Sequence, residues 1–297
     1  MADDVLTPDQ IDDLKARVTA LMPAVRADLE SLVRIPSVSL DAFDQQHVED
    51  SAHAVAALLR AEGLDVEIIR EGGRPAVVGH RDGPPGSRTV TLYAHHDVQP
   101  PGEDALWDSP PFEPTERGGR LYGRGAADDK AGVMAHIAAL RAFPDGPPVG
   151  VTVFVEGEEE IGSDSLLTIL ERHSEKLRAD AIVLADSGNW NIGEPALTVT
   201  LRGLVRVVVT ITTLDHGVHS GQFGGAVPDS ITALIRLIAS LHDADGNVVV
   251  AGLRSGEAAD LDYSEERLRL ESGLLDGVET IGTGSILTRL WNKPALT

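Results

Sequence analysis

The 297-residue sequence contains no cysteine, which excludes disulfides, thiolate metal ligands and cysteine nucleophiles. Any metal ion held by this chain must therefore be bound through nitrogen and oxygen. Positive charge is also scarce, because 25 Lys and Arg residues stand against 47 Asp and Glu residues, for a formal net charge of -22. This balance argues against nucleic acid and anionic membrane surfaces as partners, because both are bound through a basic protein surface.

Long apolar runs are missing as well. No stretch approaches the roughly 20 residues that a membrane-spanning helix needs. The acidic residues 1–4 lack the basic and apolar regions of a signal peptide, so we expect a cytoplasmic protein. The composition, with 42% hydrophobic and 24% charged residues, is typical of a globular protein with one large domain or two ordinary ones.

Up to about residue 200, the hydrophobic pattern predicts helices that alternate with short strands. Apolar residues recur every three or four positions over 11–32, which indicates an amphipathic helix that starts near Thr7-Pro8 and ends before Pro36. Further helices are expected at about 48–62, 130–141 and 165–176. The β-like runs between them lie at 66–69, 76–78, 89–94, 149–155 and 181–185, and the last two should be buried. The pattern predicts an α/β fold with a mostly parallel sheet covered by helices.

After about residue 200 the pattern changes. Segments 197–201 and 206–213 look like paired strands, and a glycine-rich loop at 216–225 follows them. A helix at 228–241 and another strand at 247–251 come next. We therefore predict a boundary near residue 200, with the α/β domain in residues 1–200 and a smaller α+β domain in residues 201–297.

Four groups of His and carboxylate residues come just after predicted β-like runs. They are His95-His96-Asp97, Asp128-Asp129, Glu158-Glu159-Glu160 and Asp186. The carboxyl ends of parallel strands meet at one edge of a sheet, so these distant segments should come together. One imidazole with several carboxylates is the ligand set of a two-metal hydrolytic site.

Each group also has an ordinary explanation when it is taken alone. A His-x-Asp triplet is usually a polar loop tip, an aspartate before a helix is commonly its N-cap, and three glutamates can form a solvated acidic loop. Adjacent acids can also divide the work. One of Asp128 and Asp129 can bind metal while the other caps the helix, and one glutamate can bind metal while another takes a proton from water. Asp97 can hold a metal-bound imidazole in one tautomer.

Five motifs, in this order, resemble the M20 metallopeptidase family and most closely its carnosinase-like dipeptidase branch. They are Tyr93-Ala-His95-His96-Asp97-Val98-Gln99-Pro100, Leu121-Tyr-Gly-Arg-Gly-Ala-Ala-Asp128-Asp129-Lys130, Val155-Glu-Gly-Glu-Glu159-Glu160-Ile-Gly-Ser, Asp186 and His219-Ser-Gly-Gln-Phe-Gly-Gly-Ala. The resemblance covers roughly residues 30 to 297. It implies a zinc-peptidase-like catalytic domain with the smaller α+β domain inserted as a lid and dimerisation domain.

The resemblance also implies a set of metal-binding residues. His95 and Asp186 would hold one ion, and Asp128 would bridge two ions. Glu160 would hold the second ion, and Glu159 would be the general base. Two divalent ions are implied, with zinc expected first and manganese or cobalt as alternatives.

Further roles follow from the same resemblance. Asp97 would orient His95, whereas His96 occupies a variable position and is expected to be a bystander. His219 would bind substrate in the active site of a partner subunit and stabilise the developing oxyanion. The protein is thus expected to be a homodimer formed through the lid domain.

The activity implied by the resemblance is metal-dependent hydrolysis of dipeptides or related short amides. Two alternatives remain open. Members of the family that deacylate N-acyl amino acids share every motif quoted above, and the chain can instead be a catalytically inactive dimerising fragment. The second alternative arises because relatives continue beyond this length and supply a last histidine for the second ion. We accordingly expect the sequence to be part of a longer enzyme.

Overall fold

The computed structural model describes residues 6–297. The chain divides into two compact units, the first ending at Ala196 and the second comprising Leu197–Thr297. The prediction that these correspond to a catalytic domain and a lid domain stays a prediction.

The first unit begins with the long helix α1 (Pro8–Val33), as the spacing of its apolar residues predicts. A capping box starts this helix. The Thr7 backbone N–H donates to the Gln10 side chain at 2.9 Å, and the Gln10 backbone N–H donates to the Thr7 hydroxyl oxygen at 3.3 Å. These bonds satisfy N–H groups that have no partner inside the first turn.

The other helices of the first unit lie close to their predicted positions. Helices α2 (Gln46–Ala61) and α3 (Lys130–Arg141) confirm the helices expected at 48–62 and 130–141. The segment expected as one helix over 165–176 is divided into α4 (Leu166–Arg172) and α5 (Ser174–Leu177).

Seven strands complete the described part of the first unit, from residue 6 to Ala196. They are β1 (Asp65–Ile69), β2 (Ala76–Arg81), β3 (Thr89–His95), β4 (Thr115–Arg117), β5 (Arg120–Tyr122), β6 (Gly150–Glu156) and β7 (Ala181–Leu184). Strands β4 and β5 form a separate hairpin, and the other five form one sheet in the order β1-β2-β6-β3-β7. Strand β3 pairs parallel with both β6 and β7, whereas β2 pairs antiparallel with both β1 and β6. The helix-covered sheet is confirmed, but it is mixed rather than mostly parallel, because β2 runs antiparallel to both of its neighbours. Its parallel part contains the strands that lead to the candidate site.

Alternate residues of the sheet enter two hydrophobic clusters. Val77 and Val153 belong to the larger cluster, which includes residues of α1, α2 and α3. Val78 and Phe154 belong to the smaller cluster, which includes residues of α4 and α5. Successive side chains of a strand point to opposite faces, so helices cover both faces of the sheet at its centre.

The prediction that the strand at 181–185 is buried is wrong. Ile182, Val183 and Leu184 of β7 are 61%, 48% and 59% exposed. Strand β7 lies at the edge of the sheet and pairs with β3 alone. The apolar run therefore identified the strand correctly, but it did not show whether other elements cover that strand.

The second unit contains helices α6 (Ser220–Phe223), α7 (Ser230–Ala239) and α8 (Glu265–Ser272), and a π-helical turn at Thr288–Asn292. Helix α7 confirms the helix expected at 228–241.

The prediction of strands at 197–201, 206–213 and 247–251 is wrong. Within residues 197–297 only one isolated bridge, between His242 and Val248, has β pairing. Leu197 and Leu204 are 90% and 93% exposed. Alternating apolar residues indicate which face a strand would bury, but a strand forms only where a neighbour bonds its backbone.

No helix in residues 6–297 has both the length and the apolar character needed to cross a membrane.

Candidate metal centre

The sheet brings three of the four candidate groups to one edge. The prediction that Asp128-Asp129 also follows a strand of this sheet is wrong, because these residues directly precede α3. His95 is the last residue of β3, and Asp186 follows β7. The residues Glu158, Glu159 and Glu160, called the acidic loop below, follow β6. Strands β3, β6 and β7 are parallel, so their carboxyl ends and the residues just after them lie together.

The His95 ring is fully buried and is contacted at both nitrogens. Its Nε2 atom lies 3.1 Å from Asp128 Oδ1 and 3.9 Å from Asp186 Oδ2. Its Nδ1 atom lies 3.0 Å from the backbone carbonyl oxygen of Asp97 and 3.3 Å from a carboxylate oxygen of the same residue. Ligand atoms of His95, Asp128 and Glu160 all lie within 4.8 Å of one another.

The chemistry of this donor set fits a metal cation. A carbonyl oxygen can only accept, so the His95 Nδ1 atom carries the proton that bonds to Asp97. In the neutral ring, Nε2 then presents its lone pair to the carboxylates of Asp128 and Asp186. Burial alone would lower the pKa of His95, but the surrounding carboxylates, with Asp97 first among them, raise it to about 10. The site therefore attracts a positive charge, which a nitrogen- and oxygen-bound metal ion would supply.

Glu159 and Glu160, the two half-buried residues of the acidic loop, have raised carboxyl pKa values. Burial raises the pKa of Glu159, and the negative charges of Asp186 and Glu160 raise it further. Burial also raises the pKa of Glu160. Gln99 contacts Glu160 twice, since its Nε2 donates to the backbone carbonyl at 3.0 Å and to the carboxylate at 2.8 Å. A raised carboxyl pKa makes a carboxylate a better acceptor for a proton taken from water.

Glu158 has a different environment from its two neighbours. It is 3% exposed, and its carboxylate accepts the backbone N–H of Arg74 at 3.0 Å and that of Ser165 at 2.6 Å. These bonds hold the ends of two loops against the acidic loop, so the Glu158 carboxylate stabilises the backbone around the site.

Asp128 and Asp129 also differ from each other, and the peptide bond between them is cis. Asp129 is the N-cap of α3, where one carboxylate oxygen accepts the Gly132 N–H at 3.1 Å. Its other oxygen accepts the His95 backbone N–H at 3.1 Å, and burial raises its pKa to about 7. Asp129 also lies close enough to His95 and Asp186 to form a possible ligand group. Both carboxylate oxygens of Asp129 already accept backbone N–H groups, so we assign Asp129 the role of helix cap. Asp128 is the aspartate whose carboxylate faces His95 Nε2.

Three contacts of Asp97 are not visible in the sequence pattern. Its carboxylate accepts a hydrogen bond from the Ser39 hydroxyl at 2.6 Å and bonds from the backbone N–H groups of Glu159 and Glu160. Ser39 belongs to no motif that sequence analysis singled out, and no local signal marks it.

Two further histidines, His96 and His219, make no contact with the His95 ring in the hydrogen bonds and ion pairs described above. His96 is buried, and its Nε2 lies 2.9 Å from the carbonyl oxygen of Pro75, which suits a structural residue. Burial lowers its pKa to about 4. His219 belongs to the second unit, where it precedes α6 and is exposed. Its predicted role in a partner subunit stays a prediction.

The geometry at His95 is that of a candidate metal site, and comparison with known proteins gives its family. Residues 91–279 match the model for peptidase family M20/M25/M40. The chain belongs to this family. The resemblance seen in the five sequence motifs is thereby confirmed.

Several relatives of this M20 chain are dipeptidases. It is 38% identical to the cysteinylglycine-S-conjugate dipeptidase of Corynebacterium striatum, over 84% of this chain and 56% of that protein. It is 33% identical to the Beta-Ala-His dipeptidase of Homo sapiens, over 94% of this chain and 59% of that protein. The crystal structure of human carnosine dipeptidase 1 matches with a TM-score of 0.74 and 27% identity, covering 96% of this chain and 66% of that one. The M20 chain thus spans little more than half the length of these curated relatives.

Proposed function

We propose that the protein is a metal-dependent hydrolase that cleaves dipeptides or related short amides. The observation that carries this proposal is the buried His95 imidazole, whose Nε2 faces the carboxylates of Asp128 and Asp186. Membership of the M20 family and similarity to the two dipeptidases support the choice of reaction and substrate.

We propose a two-ion site built from four residues. His95 and Asp186 would hold one ion, Asp128 would bridge the ions, and Glu160 would hold the second. When bound, such ions lower the pKa of water and polarise the scissile carbonyl group. Zinc is the first choice for this ligand set, and manganese or cobalt also suits it.

Glu159 would perform the proton transfer. Its half-buried carboxylate lies in the acidic loop beside Glu160, and its raised pKa favours an exchangeable proton. It would take the proton of the attacking water and then deliver that proton to the leaving amine. Asp97 would keep the proton of His95 on Nδ1, which leaves Nε2 free to act as a ligand.

The proposal extends to a homodimer and to a cytoplasmic location. In the dimer, His219 of one subunit would bind the substrate in its partner's active site and stabilise the developing oxyanion. The sequence motif around His219 supports this role.

The test uses the purified full-length protein, stripped of metal with a chelator and then reloaded with zinc, manganese or cobalt. Dipeptides, including Cys-Gly and β-Ala-His, are compared with N-acetyl and N-succinyl amino acids. We expect metal-dependent hydrolysis with a clear preference for at least one dipeptide. A preference for the acylated amino acids would favour the deacylase alternative. Absence of all hydrolysis in the metal-loaded protein would contradict the proposal and favour the inactive dimerising module.

A further inference from the structure

The segment that follows α1 runs beside the residues that follow β3. Val38 and Val98 form an isolated parallel bridge, and the Val98 N–H donates to the Ser37 carbonyl at 3.0 Å. Both valines are buried. This pairing fixes the two segments side by side and brings Ser39 next to Asp97.

The Ser39 hydroxyl donates to Asp97 Oδ2 at 2.6 Å, and both side chains are fully buried. A hydrogen bond to an ionised carboxylate is shorter and stronger than one between neutral groups. The short bond from Ser39 therefore restricts the orientation of this buried carboxylate.

The Asp97 carboxylate contacts both halves of the candidate site. Its Oδ1 atom accepts the Glu159 backbone N–H at 3.2 Å and lies 3.3 Å from His95 Nδ1. Its Oδ2 atom accepts the Glu160 backbone N–H at 3.1 Å, beside the bond from Ser39. One carboxylate thus joins the imidazole to the backbone of the acidic loop, and its orientation affects both.

Ser39 is itself fixed by a second connection to the acidic loop. The Arg74 guanidinium donates to the Ser39 carbonyl oxygen through Nε at 3.1 Å and Nη2 at 3.0 Å. The backbone N–H of the same arginine donates to the Glu158 carboxylate at 3.0 Å. Ser39 is therefore well placed to hold Asp97 in one orientation, because its own backbone is tied to the same loop.

We propose that Ser39 is a positioning residue that fixes the Asp97 carboxylate and, through it, the acidic loop. This inference rests on the proposed function, in which Glu159 is the base and Glu160 a metal ligand. Without the Ser39 hydroxyl, the Asp97 carboxylate can rotate away from the two loop N–H groups. The imidazole and the acidic loop then lose their common support, although every proposed ligand and the base are still present.

The test compares Ser39→Ala with Ser37→Ala in the full-length protein. Ser37 is a matched control because it is equally buried and its hydroxyl donates at 2.7 Å to a backbone carbonyl, that of His96. Zinc affinity is measured by titration against a chromophoric chelator, and amide hydrogen exchange is measured at Glu159 and Glu160. In Ser39→Ala we expect zinc affinity to fall by about tenfold or more and exchange at the two amides to accelerate. In Ser37→Ala we expect both quantities to stay close to those of the wild type.

Equal changes in the two variants, or no change in Ser39→Ala, would overturn the proposal. The wild-type protein provides an independent measurement should the variants fail to fold. Its Glu159 and Glu160 amides should be protected, and exchange at the rate of an unstructured chain would also overturn the proposal. Failure of the proposed function would instead appear as absent dipeptide turnover, with the exchange difference between the two serine variants intact.

Discussion

The Nε2 atom of His95 lies 3.1 Å from a carboxylate oxygen of Asp128. The other ring nitrogen of His95, Nδ1, donates a hydrogen bond to the Asp97 carbonyl oxygen, because that oxygen can only accept. The nitrogen that faces Asp128 must therefore carry an additional proton or bind a cation. This competition makes the pH dependence of metal binding predictable.

Metal binding should release close to one proton at neutral pH. The pKa of His95 is raised from 6.5 to about 10, so the metal-free folded chain keeps the additional proton across that interval. The proton contributes stability that is fully present below pH 6.5 and is lost as the pH rises through about 10. A metal ligand must be deprotonated, so metal affinity should rise with pH across the same interval.

Calorimetric titration of metal into the protein, in two buffers with different ionisation enthalpies, measures this proton release. His80→Gln is the control because His80 is a partly exposed histidine of β2, and its proton release should match that of the wild type. An affinity that does not change between pH 6.5 and 10 would contradict the assigned protonation of His95.

Gln99→Ala should weaken the second metal position selectively. Gln99 donates to both the backbone carbonyl and the carboxylate of Glu160, and its removal leaves that carboxylate free to change rotamer. Loss of such a supporting group typically lowers metal affinity by about tenfold or more. Stepwise zinc titration of the full-length protein should show one weakened binding step and one that is nearly unchanged.

The matched control is Gln46→Ala, because the Gln46 side chain donates to exposed Asp50 at 3.0 Å on α2. Two unchanged binding steps in Gln99→Ala would argue against Glu160 as a ligand.

Lys130→Met should destabilise the first unit. Lys130 is fully buried, and its ammonium group donates to the carbonyl oxygens of Leu32 at 2.8 Å and Ile35 at 2.7 Å. Methionine has a similar volume but leaves both carbonyls without this donor, and each unsatisfied group costs roughly 1–3 kcal/mol. Because the variant also relieves the cost of burying the lysine, we expect the free energy of unfolding to fall by about 2 kcal/mol.

Denaturant unfolding measures this change, and Lys15→Met, at an exposed position of α1, provides the comparison. Equal stability of the two variants would show that the Lys130 hydrogen bonds do not stabilise the junction between α1 and α3.

The first unit was largely predictable because its signals are local. Thr7-Pro8 and the spacing of apolar residues locate α1, and α3 has the predicted limits. His95, the acidic loop and Asp186 could be grouped from the sequence because parallel strands end at a common edge, whereas Asp128 joins them from the start of α3. In contrast, the exposure of β7 and the absence of strands at 197–201 and 206–213 depend on which neighbours a segment finds, which no local pattern contains.

The support around the candidate site could not be predicted for a related reason. Ser39 and Asp97 are 58 positions apart, and Arg74 and Glu158 are 84 positions apart. Serine and arginine are common polar residues, and neither position carries a spacing that indicates a partner. Only the folded backbone brings them together, whereas His95 and Asp128 lie in motifs that already indicate metal chemistry.

The most direct test of the proposed mechanism compares dipeptide turnover and bound metal in the full-length wild type and in Glu159→Gln. The substitution keeps the shape of the side chain but removes its ability to take a proton. We expect turnover to fall by about 100-fold or more, with the metal content unchanged. Glu175→Gln, at an exposed position of α5, should retain wild-type turnover. Turnover in Glu159→Gln equal to that of the wild type would contradict the assignment of Glu159 as the general base.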